Sequence, residues 1–255
     1  GLFGVTLGLE YLLVRWMVSR PRTARLAFGL AIVLPITFLA YFKYTGFILA
    51  NLAWLSGRSL QIPDIFLPAG ISFYTFQMIS YAVDVWRRQV VPGSFWEYGL
   101  YIAYFPQLVA GPIVRASHFL PQLRNPNLDP ERIGTGFWLI LQGLVKKVVF
   151  ADYLAQYNDL IFAQPQNYSG FENLMAIYGY GLQIFCDFCG YSDVAIGLGR
   201  MMGFDLGVNF SKPYLSSSIT EFWRRWHISL SSWLRDYVYI PLGGNRRGTF
   251  RTYVN

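Results

Sequence analysis

Residues 26–55 form a nearly uncharged run long enough to cross a hydrocarbon core once, and a backbone in that setting must satisfy its polar groups within helices. Similar segments recur at residues 2–18, Ile71–Trp86, 133–154 and 173–198. Of the 255 residues, 54% are hydrophobic, 18% aromatic and only 14% charged, which sets the chain apart from ordinary soluble domains. The expectation is an all-α, polytopic integral membrane protein. It forms a single transmembrane domain over residues 1–255 that is part of a longer chain.

Basic residues give the topology. Arg15, Arg20, Arg22 and Arg25 cluster around the end of the first segment, and Arg87-Arg88 follows the third, which places both connections on the cytoplasmic side. The net charge of +7 arises from these connections and needs no nucleic acid. Residues 26–55 are expected to kink at Pro35 and Gly46 and to emerge into an external loop over residues 56–68. Alternation then fails at residues 98–113, because Arg115, Arg124 and Arg132 follow. Pro106, Gly111 and Pro112 predict a broken helix or re-entrant hairpin that returns to the same face. Residues 133–154 span outward, with Lys146-Lys147 snorkelling or facing a polar cavity. Residues 173–198 return to Arg200.

The densest chemistry lies in residues 216–244, SSSITEFWRRWHISLSSWLRDYVYIPLGG. Ser218 and Glu221 have capping-box spacing, and Pro241 with Gly243-Gly244 ends the segment, so a helix is predicted from Ile219 to the late 230s. On it, Trp223, His227, Leu230 and Leu234 share one face, and Arg225, Ser229, Ser232 and Asp236 another. Glu221 and Arg225 stand four apart in the favourable order for pairing. His227 has two readings. It is either a buried histidine bonded to a neighbouring helix or a functional group, since ionisable side chains within a membrane mark substrate or proton paths. Both stay open on the residues alone.

Asp187 and Asp193 interrupt the last span, where Gly190, Ala195, Gly197 and Gly199 let backbones approach closely. The acids either find polar partners or line a substrate path. Cys186 and Cys189 have redox or metal spacing, but a single pair in apolar surroundings argues against both uses. Walker, zinc-protease, nucleophile-elbow and calcium-loop motifs are absent from the sequence.

The stretches FPQLVAGPIVR (105–115), CDFCGYSDVAIGLGRMMGF (186–204), NFSKPY (209–214) and SITEFWRRWHISLSSWLRDYVYIPLGGNRRG (218–248), with LPAGISFYTFQMISYAVDVWR (67–87), resemble the bacterial membrane-bound O-acyltransferase (MBOAT) family. PLGGNR is similar to the branch that acetylates polysaccharides such as alginate, rather than to the D-alanyl transferase branch. The resemblance implies a helical bundle with re-entrant or in-plane helices around a funnel in the bacterial inner membrane. It implies transfer of an acyl group from a cytoplasmic thioester, acetyl-CoA or an acyl carrier, toward an extracytoplasmic polysaccharide hydroxyl, as in alginate or exopolysaccharide modification. Separate extracytoplasmic partner proteins are implied too, with no bound cofactor or metal. His227 matches the first of two family histidines, and the second is expected beyond Asn255. Where the family commonly shows serine, this chain has Cys189, a near-isosteric replacement.

O-acyl transfer needs a base for the hydroxyl proton and donors for the oxyanion. His227 is the candidate base. Arg224, Arg225, the Trp226 indole N–H and Asn245 are candidate donors, with Asp187, Asp193 and Asp236 along the substrate path. Arg200, Lys212, Arg246, Arg247 and Arg251 are candidate attractors for donor phosphates, or ordinary cytoplasmic anchors. D-alanyl or other acyl transfer is the alternative within the family. An ion-coupled transporter is the alternative of another class, although it predicts paired interrupted helices in two halves, which the sequence lacks.

Overall fold

The computed structural model of the chain describes residues 2–108 and 111–255, with Arg247 described by its backbone alone. Its regular structure is helical throughout the described residues. They divide into two compact units, one of residues 2–108 and 115–121, the other of residues 111–114 and 122–255.

The first unit packs α1 (Leu2–Ser19), α2 (Ala24–Leu39) and α4 (Ile71–Trp86) against one another, with α3 (Thr45–Ser56) continuing from α2 and α5 (Phe95–Ala103) resting on α1 and α4. α4 has the bounds expected from its apolar run, because left-handed Gly70 precedes it and Arg87 caps it. Pro35 lies inside α2, which runs on without a break to Leu39, and the irregularity of this stretch is a wide π turn at Ala40–Tyr44. Gly46 lies inside α3 and produces no break. Ser94 and Glu97 close a reciprocal capping box that starts α5. α5 stops at extended Tyr104, and a single turn, α6 (Phe105–Leu108), follows. The helix is thus broken as expected, and Gln107 compensates by donating from Nε2 to the Tyr101 carbonyl at 2.9 Å. The expected hairpin runs through residues 109 and 110, which lie outside the described residues.

α7 (Ala116–Arg124) leads to the second unit, built on α8 (Pro130–Leu144), α9 (Asp152–Ala163) and α10 (Gly170–Met201). α8 starts with Pro130 at its first position and the Asp129 carboxylate accepting from the Glu131 N–H. α10 begins with a second capping box, Ser169 with Glu172. Its 32 residues make it about 48 Å long at 1.5 Å per residue.

α8 and α10 meet along a glycine seam. A Cβ at Gly143 would lie 2.5 Å from the Gly190 carbonyl oxygen, and one at Gly190 would lie 2.7 Å from that of Gly143. Gly136 and Gly197 repeat the arrangement at 2.7 and 2.5 Å. Both pairs are seven residues apart on each helix and run in opposite order, so the helices cross antiparallel with their backbones in contact. Gly190 and Gly197 therefore serve the close approach expected of them.

Between α8 and α9 a π turn at Val145–Ala151 presents two consecutive lysines to α10. Lys146 Nζ lies 2.5 Å from Asp193, and Lys147 Nζ lies 2.6 Å from both Asp187 and Asp152. Neither lysine stands alone at an interface or in a cavity. Each is paired with an acid of α10, which offsets the charge of both partners.

Among the described residues, three continuous helical stretches are long and apolar enough to cross a membrane: Leu2–Ser19, Pro21–Ser56 and Pro130–Ala163.

Candidate functional site

Residues 216–244 do not form one helix. α11 (Ile219–Arg225) ends at extended Trp226, α12 (Ile228–Leu234) begins after His227, and a π turn at Arg235–Tyr239 leads to the single turn α13 (Ile240–Leu242). A final short helix, α14 (Thr249–Val254), closes the chain. α11 and α12 have seven residues each, about 10 Å, and neither can cross a core of about 30 Å. The two shared faces expected from continuous winding are therefore lost at Trp226-His227. His227 has φ 43° and ψ 55°, a left-handed conformation that is uncommon outside glycine, though histidine enters it more readily than most, and here tertiary contacts compel it.

The compulsion comes from a loop passing from α10 to α11. The Ile228 N–H donates to the Asn209 carbonyl at 2.9 Å, and the Ser211 N–H donates to the Arg225 carbonyl at 2.9 Å. These bonds clasp residues 209–211 against the break and fix its angle. The start of α11 carries half the expected capping box: the Ser218 hydroxyl accepts from the Glu221 N–H, while the Glu221 carboxylate turns to the N–H and hydroxyl of Ser217.

The clasp sets the imidazole in a buried polar cluster. His227 Nδ1 lies 3.1 Å from Asn209 Oδ1, which also accepts from the Ser229 N–H at 3.3 Å and the Ser229 hydroxyl at 2.9 Å. The Asn209 Nδ2 donates to Ser192 Oγ on α10 at 3.1 Å. A backbone N–H can only donate, so the atom facing Ser229 N and His227 Nδ1 is the amide oxygen. Nδ1 must then carry the ring proton, which leaves Nε2 with a free lone pair. Asn209 and Ser192 are fully buried and His227 is 8% exposed. Phe188 meets the imidazole edge-on at 4.7 Å. Burial pushes the imidazole pKa down to about 4, so the ring is neutral at ordinary pH and able to accept a proton.

The other expected residues fall into several places. Arg225 is held by Glu221 at 2.5 Å, the pairing expected from their spacing. Arg224 is exposed. Trp226 packs among Phe210, Phe222, Phe185 and Tyr214, with ring centres 5.1 to 6.2 Å away. Asp187 and Asp193 hold the lysines of the π turn, and Arg235 holds Asp236 at 2.7 Å. Asn245 accepts from the Tyr239 hydroxyl, and Asn245 and Arg246 are exposed. Arg200 opens, with Arg132, Thr135 and Asp205, onto a polar cleft of about 280 Å³. Lys212 and Arg251 are exposed, and the Arg247 side chain lies outside the described residues.

Sequence reasoning gave no site role to Asn209, Ser192 or Phe188, and placed Ser229 only on a face of the expected helix. Asn209 opens the NFSKPY stretch, but its link to His227 spans 18 residues of chain and is made by tertiary contact.

A broken helix carrying one buried, neutral, oriented histidine suits proton transfer in many contexts, and comparison with known proteins narrows it. The model of the membrane-bound O-acyltransferase family matches residues 23–254. The chain belongs to the membrane-bound O-acyltransferase family. Among its relatives is a Pseudomonas putida protein named "Probable alginate O-acetylase AlgI", 45% identical over 93% of this chain and 49% of the relative. The peptidoglycan O-acetyltransferase of Helicobacter pylori is 36% identical over 91% of this chain and 49% of its own length. The teichoic acid D-alanyltransferase of Bacillus subtilis is 33% identical over 67% and 44%. This MBOAT chain spans about half the length of these curated relatives.

Proposed function

We propose that the chain forms the His227 half of a multi-pass, inner-membrane O-acetyltransferase that passes acetyl from a cytoplasmic thioester, acetyl-CoA or an acyl carrier, to a cell-surface polysaccharide hydroxyl. The observation that carries this reading is the tautomer of His227, whose Nε2 lone pair is free because Nδ1 is committed to Asn209. Nε2 takes the acceptor's hydroxyl proton as its oxygen attacks the thioester carbonyl. Collapse of the tetrahedral intermediate breaks the carbon–sulfur bond, and the imidazolium returns the proton to the departing thiolate. The products are an ester and a free thiol. The polar cleft with Arg132 and Arg200 supports a site for donor phosphates, since guanidinium groups bind them bidentately. Acetyl is favoured over D-alanyl because the acetylating relatives are more similar over more of the chain. The acceptor polymer is of the alginate or peptidoglycan type, reached with separate extracytoplasmic proteins.

The test follows labelled acetyl from acetyl-CoA onto extracted polymer in cells carrying the full-length protein or none. Label that reaches polymer equally in both removes the proposal.

Asn209 is a positioning residue in this scheme. Asn209→Leu, which keeps the volume and removes the acceptor, is expected to lower kcat roughly 5- to 150-fold, the effect of about 1–3 kcal/mol for a lost buried hydrogen bond, with KM little changed. Asn209→Asp keeps an acceptor for Nδ1–H and is expected to retain more activity than the leucine variant, with the acid limb of the pH profile moved upward. Identical kinetics in the two variants would reduce Asn209 to a packing residue.

A further inference from the structure

The first unit contains a cavity of about 510 Å³ where the end of α1, the start of α2 and the end of α4 meet. Its walls are mainly apolar, formed by Met17, Val18, Val85, Trp86 and Val91, and among the described residues lining it Arg88 is the charged one. Exposed Arg20, Arg22 and Arg25 flank Pro21 and Ala24, which also line it, and no acid lies on its wall. Trp86 stacks on Phe28 at 4.9 Å and stays 40% exposed, so one side of its ring is open to whatever occupies the pocket.

Arg88 stands where glycine is ordinarily favoured. The Arg88 N–H donates to the Val85 carbonyl at 3.0 Å and the Gln89 N–H to the Asp84 carbonyl at 2.8 Å, the paired bonds of a Schellman helix end. The residue at its turning point is left-handed, and Arg88 has φ 60°. Glycine would close this turn without strain, so arginine occupies this position at a backbone cost. A guanidinium on the wall of an apolar pocket, with three exposed arginines next in sequence to other wall residues, complements an anionic head carrying a hydrocarbon tail. A soluble phosphate ester would find no use for the aliphatic wall.

We propose that this cavity binds an anionic phospholipid, with an acyl chain against Met17, Val18 and Val85 and the headgroup phosphate on Arg88. The site is independent of the acyl-transfer reading. It ties the helix ends of the first unit to the charged leaflet.

The experiment titrates phosphatidylglycerol or phosphatidylcholine into the purified full-length protein in detergent and follows the thermal transition, comparing wild type with Arg88→Gly and Val91→Asp. Val91 is 86% exposed, so the aspartate alters charge at the pocket without disturbing a core. Phosphatidylglycerol is expected to raise the wild-type Tm and phosphatidylcholine to leave it nearly unchanged. Arg88→Gly is expected to match or exceed the wild-type Tm without lipid while binding phosphatidylglycerol roughly fivefold more weakly, the worth of one basic residue near an anionic surface. Val91→Asp is expected to weaken binding as well. Undiminished binding by Arg88→Gly overturns the proposal, as does equal stabilisation by phosphatidylcholine. Displacement of the lipid effect by millimolar coenzyme A or inorganic phosphate would assign Arg88 to a soluble anion and overturn it too.

Discussion

His227→Ala in the full-length protein is expected to lower acetyl transfer by about 10²–10⁴-fold, the usual contribution of a positioned general base. Membrane abundance is expected to stay near wild type, because the clasp that shapes the break is made by backbone groups of Asn209, Ser211, Arg225 and Ile228, which the substitution leaves in place. His227→Gln separates the two roles of the ring further: its amide can still donate toward Asn209, but it cannot take a proton from a hydroxyl near neutral pH. The glutamine variant should therefore be as inactive as the alanine variant and better folded. Transfer at the wild-type rate by either would make His227 a structural residue and remove the mechanism. The pH dependence has a defined sign. Burial places the folded-state imidazole pKa at about 4, below its ordinary value of 6.5. The unfolded chain thus binds the proton more readily, and this residue's contribution makes stability fall as pH drops from about 6.5 toward 4. Above that window the ring is neutral in both states and the contribution is constant.

Gly190→Val is expected to be the most damaging substitution to the fold of the second unit. The added Cβ alone would stand 2.7 Å from the Gly143 carbonyl oxygen and 3.0 Å from the Lys147 amide nitrogen, both backbone atoms that cannot rotate aside. α8 and α10 would have to separate, breaking the seam and pulling Lys146 and Lys147 from Asp193 and Asp187. Overpacking commonly costs about 1–3 kcal/mol, and a clash with two backbone atoms lies at the upper end of that range. Against a typical total of about 5–15 kcal/mol, this predicts a clear loss of folded protein. Gly8→Val is the control, since nothing lies within 4 Å of a Cβ there. Detergent-resistant folded fraction, measured by size exclusion after extraction, is expected to collapse for Gly190→Val and to hold for Gly8→Val. Equal recovery of the two would mean that the helices do not touch at this seam.

The apolar runs and their punctuation could be read directly. α4 has the expected bounds because glycine precedes it and paired arginines follow. The Glu221–Arg225 pair followed from helical spacing, and the small residues of α10 correctly indicated close packing. The π turns escaped the reading because hydrophobic periodicity does not distinguish winding by five from winding by four over a single turn. The break at His227 escaped it for another reason. Trp226-His227 contains neither glycine nor proline, and the left-handed turn is imposed by a loop whose Asn209 lies 18 residues earlier. Lys146 and Asp193 are 47 residues apart, so the lysines could be seen to need relief but not which acids would supply it. Charge within apolar sequence was legible as a need, and its partners became legible only in the packed molecule.

The wide turn at Val145–Ala151 also constrains how this chain can change length. A π turn holds one residue more than the α turn it replaces, so deleting one of its members after Lys147 would let the winding close into a regular α turn while α9 keeps the face it presents. Asn158, whose amide sits over Gly179 and donates to Gln183, would stay against α10. The same deletion inside α8 would have no wide turn to absorb it and would swing the glycines of the seam by about 100° about the helix axis. This hairpin can therefore lose one link at its turn but none along α8, whereas the irregular stretch over residues 57–68 can gain or lose links without turning any neighbour.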